Sequence, residues 1–165
     1  SEAVITNKFD SATIYRLTSQ YAEPVSTDKS RPFSHNSTGM VLRAFAAHSA
    51  YRHSEAARIA AGLLKSRFFQ PDMYTSYQDA SYWVRFQFPF WWNQLVAALD
   101  SISLIDASID EPMQRALDWL IDHQQETGLW KASYVERAER ENARVRETSE
   151  WVSLAICRIL KRLLS

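Results

Sequence analysis

The sequence predicts an all-α fold of helical hairpins, and three observations carry that expectation. Only 3 glycines occur among 165 residues, too few to supply the positive-φ turns of a many-stranded barrel or sandwich. Apolar residues recur at three- and four-residue steps along most of the chain. Two of the amphipathic stretches repeat one another 56 residues apart, the mark of a stacked supersecondary unit.

A first helix is predicted over 38–52, where Val41, Leu42, Phe45 and Ser49 share a face and Thr38 or Asn36 is available as N-cap. Ser54 and Glu55 cap a second, with Ala56, Ile59, Ala60, Leu63, Leu64 and Phe68 as its stripe and Pro71 as its stop. A third starts after Pro89. Trp92, Leu95, Val96, Leu99 and Ile102 make one stripe and Trp91, Ala98 and Ile105 another, so it should be buried on two sides. The fourth opens with Asp110 as cap and Pro112 in its first turn, buries Met113, Ala116, Leu117 and Leu120, and ends at Gly128. The last, roughly 149–164, is apolar nearly all round, from Trp151 and Val152 to Leu163 and Leu164. Residues 1–35 read as an N-terminal segment with one helix expected over about 9–20, and residues 36–165 as the repeat domain.

Shifting the second helix by 56 places Ala60 on Ala116, Leu63-Leu64 on Trp119-Leu120, Asp72 on Gly128 and Tyr74 on Trp130. Hairpins stacked side by side hide their fully apolar helices inside and leave the amphipathic ones outside, at about 25 cal/mol per Å² of apolar surface buried. The expected result is a partial α/α ring of five or six main helices.

Arg115-Ala116, Trp119-Leu120, Gln124, Gly128 and Trp130 stand in the pattern [KR]-[GA]-x-x-[FYW]-[LIV]-x-x-x-Q-x-x-x-G-x-W. This resembles the repeat of the squalene cyclases and their prenyltransferase relatives, the terpenoid cyclase and protein prenyltransferase α/α-toroid superfamily. The earlier unit keeps a worn copy, with Phe68, Asp72 and Tyr74 in place of the glutamine, glycine and tryptophan. The resemblance implies that Gln124, Gly128 and Trp130 tie helices together at a turn, and capping logic agrees. It also implies a complete ring of about twice as many helices. The open apolar edges of a half ring call for further chain, a second copy or residues 1–35 to cover them, and with Ser1 as first residue a piece of a larger polypeptide is expected.

Composition excludes several classes. Lys plus Arg equals Asp plus Glu at 19 each, so no net charge favours nucleic acid or an anionic bilayer. No apolar run approaches the roughly 20 residues of a spanning helix, and Cys157, the sole cysteine, allows no internal disulfide. A soluble, cytoplasmic chain is expected. No phosphate-binding glycine motif or G-x-S-x-G nucleophile occurs, and no cofactor is expected. The D-x-D-D acid of bacterial-type squalene cyclases is absent, as is the Asp-x-Cys zinc pair of protein prenyltransferases, since Ala155 precedes Cys157 by two places. His35, His48, His53 and His123 are scattered, so no metal site is expected. Asp106 and Asp110 read as a loop residue and a cap, and the charges of 131–147 nearly balance, as in a solvated connection.

Residues 74–92 hold Tyr74, Tyr77, Tyr82, Trp83, Phe86, Phe88, Phe90, Trp91 and Trp92. One explanation is core packing under a long connection. The other is a concave pocket of ring faces suited to an isoprenoid-like ligand. In the hairpin order above, the starts of the inner helices gather at one mouth, which brings together His35, Asn36, Tyr82, Trp83, Trp91, Trp92, Glu150 and Trp151 as candidate ligand-binding residues. Three functions compete: a toroid protein that binds an apolar small molecule, a helical-repeat module for a protein partner, and a fragment of an active cyclase whose acid lies outside this chain.

Overall fold

A computed structural model describes residues 33–72, 79–90, 92–133 and 143–164. Among them are six α-helices, one 3₁₀ turn and no strand: α1 His35–Ala47, α2 Ser49–Arg52, α3 Glu55–Lys65, the 3₁₀ turn Ala80–Val84, α4 Leu95–Ile105, α5 Glu111–Asp122 and α6 Ala143–Leu164. The helix expected over 9–20 lies outside the described residues.

The centre is α4, which packs against α1, α3 and α6. Its sequence explains the position, since Leu95, Val96, Ala97, Ala98, Leu99, Ser101, Ile102, Ser103 and Ile105 are all buried. The two serines cause no penalty because their hydroxyls donate to carbonyls of their own helix, Ala97 and Asp100. The helix begins at Leu95 rather than just after Pro89. Gln94 holds the approach instead, accepting from the Gln87 amide at 3.1 Å and donating to the Gln87 carbonyl at 2.6 Å.

In α3 and α5 the local code is the same. Ser54 accepts from the Ala57 amide and Asp110 from the Met113 amide, each serving as N-cap. Behind these caps α3 buries Ala57, Ala60, Ala61 and Leu64, and α5 buries Met113, Ala116, Leu117 and Leu120. Caps and buried positions coincide at the 56-residue interval found in the sequence. The α5 stripe is the expected one, whereas the α3 stripe is rotated: Ile59 is exposed and Ala57 and Ala61 face inward. Small side chains on that face let α3 lie close to both α1 and α4, with which it packs. Lys65, buried at the end of α3, joins the two units through its 2.6 Å bond to Asp110, with Asp106 at 4.0 Å.

Three further boundaries differ from expectation. Ser34, not Thr38 or Asn36, caps α1, and the helix breaks at His48, whose ring accepts from the Ala50 amide to start α2. Helix α5 ends at Asp122, so Gly128 is not its terminating residue. Gly128 takes φ +80° in the turn that follows, a conformation only glycine adopts without strain. Helix α6 is longer than expected, and its apolar girdle is not buried all round. Val152, Ile156, Ile159 and Leu163 face the core, while Trp151, Leu154 and Leu164 are exposed. The inward face is the one α4 covers.

The connection after α5 is pinned at each step. Gln124 Nε2 donates to the Gly128 carbonyl at 2.8 Å. The buried indole of Trp130 donates to the Leu120 carbonyl in the last turn of α5 at 2.7 Å. The amides of Trp130 and Ala132 then donate to the hydroxyls of Ser153 and Ser149 on α6, and the Ser133 amide to the Phe86 carbonyl. Backbone groups of an irregular segment are thereby satisfied without a sheet.

Candidate functional site

Two residues of the expected mouth, His35 and Asn36, belong to a buried polar knot at the start of α1. The Ser34 hydroxyl donates to Asp72 Oδ2 at 2.8 Å, and the backbone and side-chain amides of Asn36 donate to the same oxygen at 3.1 and 3.3 Å. Asp72 is thus a second cap for α1, supplied from 36 residues away. Its negative charge suits the positive end of a helix. Asn36 in turn accepts from the Asn93 amide at 3.1 Å, and Asn93 Nδ2 donates to the His35 carbonyl at 3.2 Å. Gly39 makes room for this: a Cβ there would stand 2.2 Å from Asn93 Oδ1.

His35 stacks on Trp83 with 4.4 Å between ring centres and 28° between planes. Trp83 meets Phe68 edge-on at 5.4 Å, and its indole donates to the Gln70 carbonyl at 2.9 Å. Burial pushes the His35 imidazole down to about 4, with Asp72 opposing that shift and Arg67 adding to it. Serine, histidine and aspartate meet here, yet not as a nucleophilic relay. The hydroxyl donates to the carboxylate rather than to the imidazole, and Ser34, His35 and Asp72 are all buried.

Linkage follows from the neutral ring. Between about 4 and 6.5 the unfolded chain takes up a proton at His35 that the folded chain refuses, so stability is complete above pH 6.5 and falls as the pH drops. Urea midpoints measured from pH 7 to pH 4 should decline in the wild type. The slope should flatten in His35→Phe, which keeps the ring stack and removes the proton site.

The other expected residues lie elsewhere. Trp92 is buried, donates to the Tyr82 carbonyl at 3.1 Å and meets the Tyr82 ring edge-on at 5.7 Å. Trp91 lies outside the described residues. Glu150 is exposed and pairs with Arg146 at 3.1 Å. Trp151, 45% exposed, stacks on Phe88 at 5.5 Å and 14°, and Phe88 meets Phe90 edge-on at 5.4 Å. His35, Asn36 and Trp83 therefore offer no open face, whereas Trp151 is exposed beside the partly buried Phe88 and Phe90.

A cleft of about 740 Å³ lies between the 3₁₀ turn and the end of α5, lined by Ser81, Tyr82, Val84, Arg85, Phe86, Trp119, His123, Trp130, Lys131 and Ser133. Of these, sequence reasoning named only Tyr82 as a binding residue. Trp119 and His123 are one helical turn apart, a spacing that puts two rings on one face. They stack at 3.7 Å and 12°. Arg85 and Lys131 come from two separate connections, and no periodic signal announces them.

Among the described residues no group of three His, Cys, Asp or Glu side chains is placed to hold a metal ion, and no helix is long and apolar enough to cross a membrane. No protein-family model, curated protein or solved structure matches the chain.

Proposed function

We propose that the chain is part of a ring-type helical repeat like that of the squalene cyclases and protein prenyltransferases, and that it binds an apolar, isoprenoid-like molecule. The packing of α4 between neighbours and the shared caps of α3 and α5 support the repeat. The observation that carries the ligand is Trp151, stacked nearly parallel to Phe88 while almost half its surface faces water. A rigid ring face in water gains about 25 cal/mol per Å² when an apolar chain covers it. Because the rings are ordered by their own contacts, little side-chain entropy is lost on binding.

Farnesol and geraniol, applied by equilibrium dialysis, test this reading. Trp151→Ala should lower affinity about tenfold and change stability by less than about 1 kcal/mol, since the residue is on the surface. Unchanged affinity in the variant, or no retention by the wild type, overturns the reading.

The exposure of Leu154 and Leu164 on the same helix favours a second reading, a module whose α6 face is covered by a protein partner or a second copy. Sedimentation of the chain at rising concentration separates the two. Self-association lost in Leu154→Glu supports the module, and a monomer throughout removes the second copy from it.

A further inference from the structure

We propose that the cleft between the 3₁₀ turn Ala80–Val84 and the end of α5 is a second binding site, specific for a planar aromatic ring that carries an anionic group. Its volume of about 740 Å³ falls within the roughly 300–1,000 Å³ of small-molecule pockets. The reading is independent of the ring array at Trp151, because neither Phe88, Phe90 nor Trp151 lines the cleft.

The walls supply flat surfaces. Trp119 is held by His123 on one face and by the edge of Phe86 at 5.6 Å and 85°. The Trp119 carbonyl anchors the His123 ring through a 2.8 Å bond to Nδ1. Tyr82 stands in the same wall with the Arg85 guanidinium 4.4 Å over its ring. Such pre-ordered rings select a planar partner, because offset and edge-on contacts need flat geometry on both sides.

Charge selects the sign. Arg85 and Lys131 both line the cleft, and no carboxylate does among the described residues. Asp79, the acid nearest to Arg85 in the sequence, is exposed and already accepts from the Ser81 amide at 2.7 Å. Lys131 has a contact of its own within the chain, so the selection rests on Arg85. A guanidinium over a ring face still has N–H groups that can meet a carboxylate or a phosphate with two parallel bonds. Ser81 and Ser133 line the same cleft. The Trp119 and His123 rings with the Arg85 cation in the same cleft are the complement of an aryl acid.

Three probes of one ring size test the site: 1-naphthoate, 1-naphthyl phosphate and the neutral 1-naphthylmethanol. They are titrated into the chain at low salt and read by calorimetry and by the Trp indole N–H resonances. Both acids should bind at least tenfold more tightly than the alcohol and move the Trp119 resonance. A preference for one acid over the other identifies carboxylate or phosphate as the natural group. Arg85→Gln should erase the preference for acids and leave the alcohol's affinity unchanged, while Arg85→Lys, which keeps the charge, should restore part of it. Trp151→Ala should change none of these values. Equal binding of acids and alcohol, undiminished acid binding in a folded Arg85→Gln, or a Trp119 resonance that does not move overturns the proposal.

Discussion

Replacing Asp72 with alanine should lower the stability of the chain by about 3–5 kcal/mol, because it takes the acceptor from three buried donors at once. One oxygen of this carboxylate receives the Ser34 hydroxyl and both amides of Asn36, and Asp72 is 3% exposed. Without it these donors are left in a site that water does not reach, and each orphaned group costs about 1–3 kcal/mol. The loss also reaches the second layer, because the Asn36 side chain that donates to Asp72 also presents its oxygen to the Asn93 amide. Asp72→Asn keeps the shape and one acceptor, so it should cost clearly less. Urea unfolding checks both, with the midpoint falling and the slope unchanged. A cost below about 1 kcal/mol for the alanine variant would mean that the knot is incidental to α1.

How much of this was legible depends on how far apart the interacting residues lie. The caps Ser54 and Asp110 and the whole α5 stripe can be read from the chain because their partners sit three or four residues away. Ser34 could not be chosen over Thr38 or Asn36 in the same way. Its advantage comes from Asp72, which accepts from both Ser34 and Asn36 across 36–38 residues. The rotation of α3 is also tertiary. Ile59 is the more apolar residue, but a helix that touches two neighbours gains more by presenting alanines to them than by burying one branched side chain. His35 and Asn36 stand at the start of α1, where Asn93 and Gly39 close the space from inside. The cleft has no periodic signature because, apart from Trp119 and the α5 C-cap His123, its lining residues lie outside the α-helices.

Trp130→Ala should be nearly as damaging as Asp72→Ala, at about 3–5 kcal/mol, and for a different reason. Most of the loss is volume, since an indole that is 3% exposed leaves a cavity under the end of α5. A smaller part is the hydrogen bond to the Leu120 carbonyl, which also accepts from the His123 amide at 3.3 Å and so is not wholly orphaned. Trp130→Phe separates the two. It refills most of the space without the donor, and a cost of about 1–2 kcal/mol is expected for it. The position of the residue adds a consequence beyond stability. Trp130 is bonded through its backbone to Ser153 on α6 and through its ring to α5, and it lines the same cleft as Trp119 and His123. Losing it should therefore loosen the end of α5, and the Trp119 indole N–H should exchange with solvent faster in Trp130→Ala than in Trp130→Phe. Equal exchange in the two variants would show that the ring fills space there without fastening the helix end.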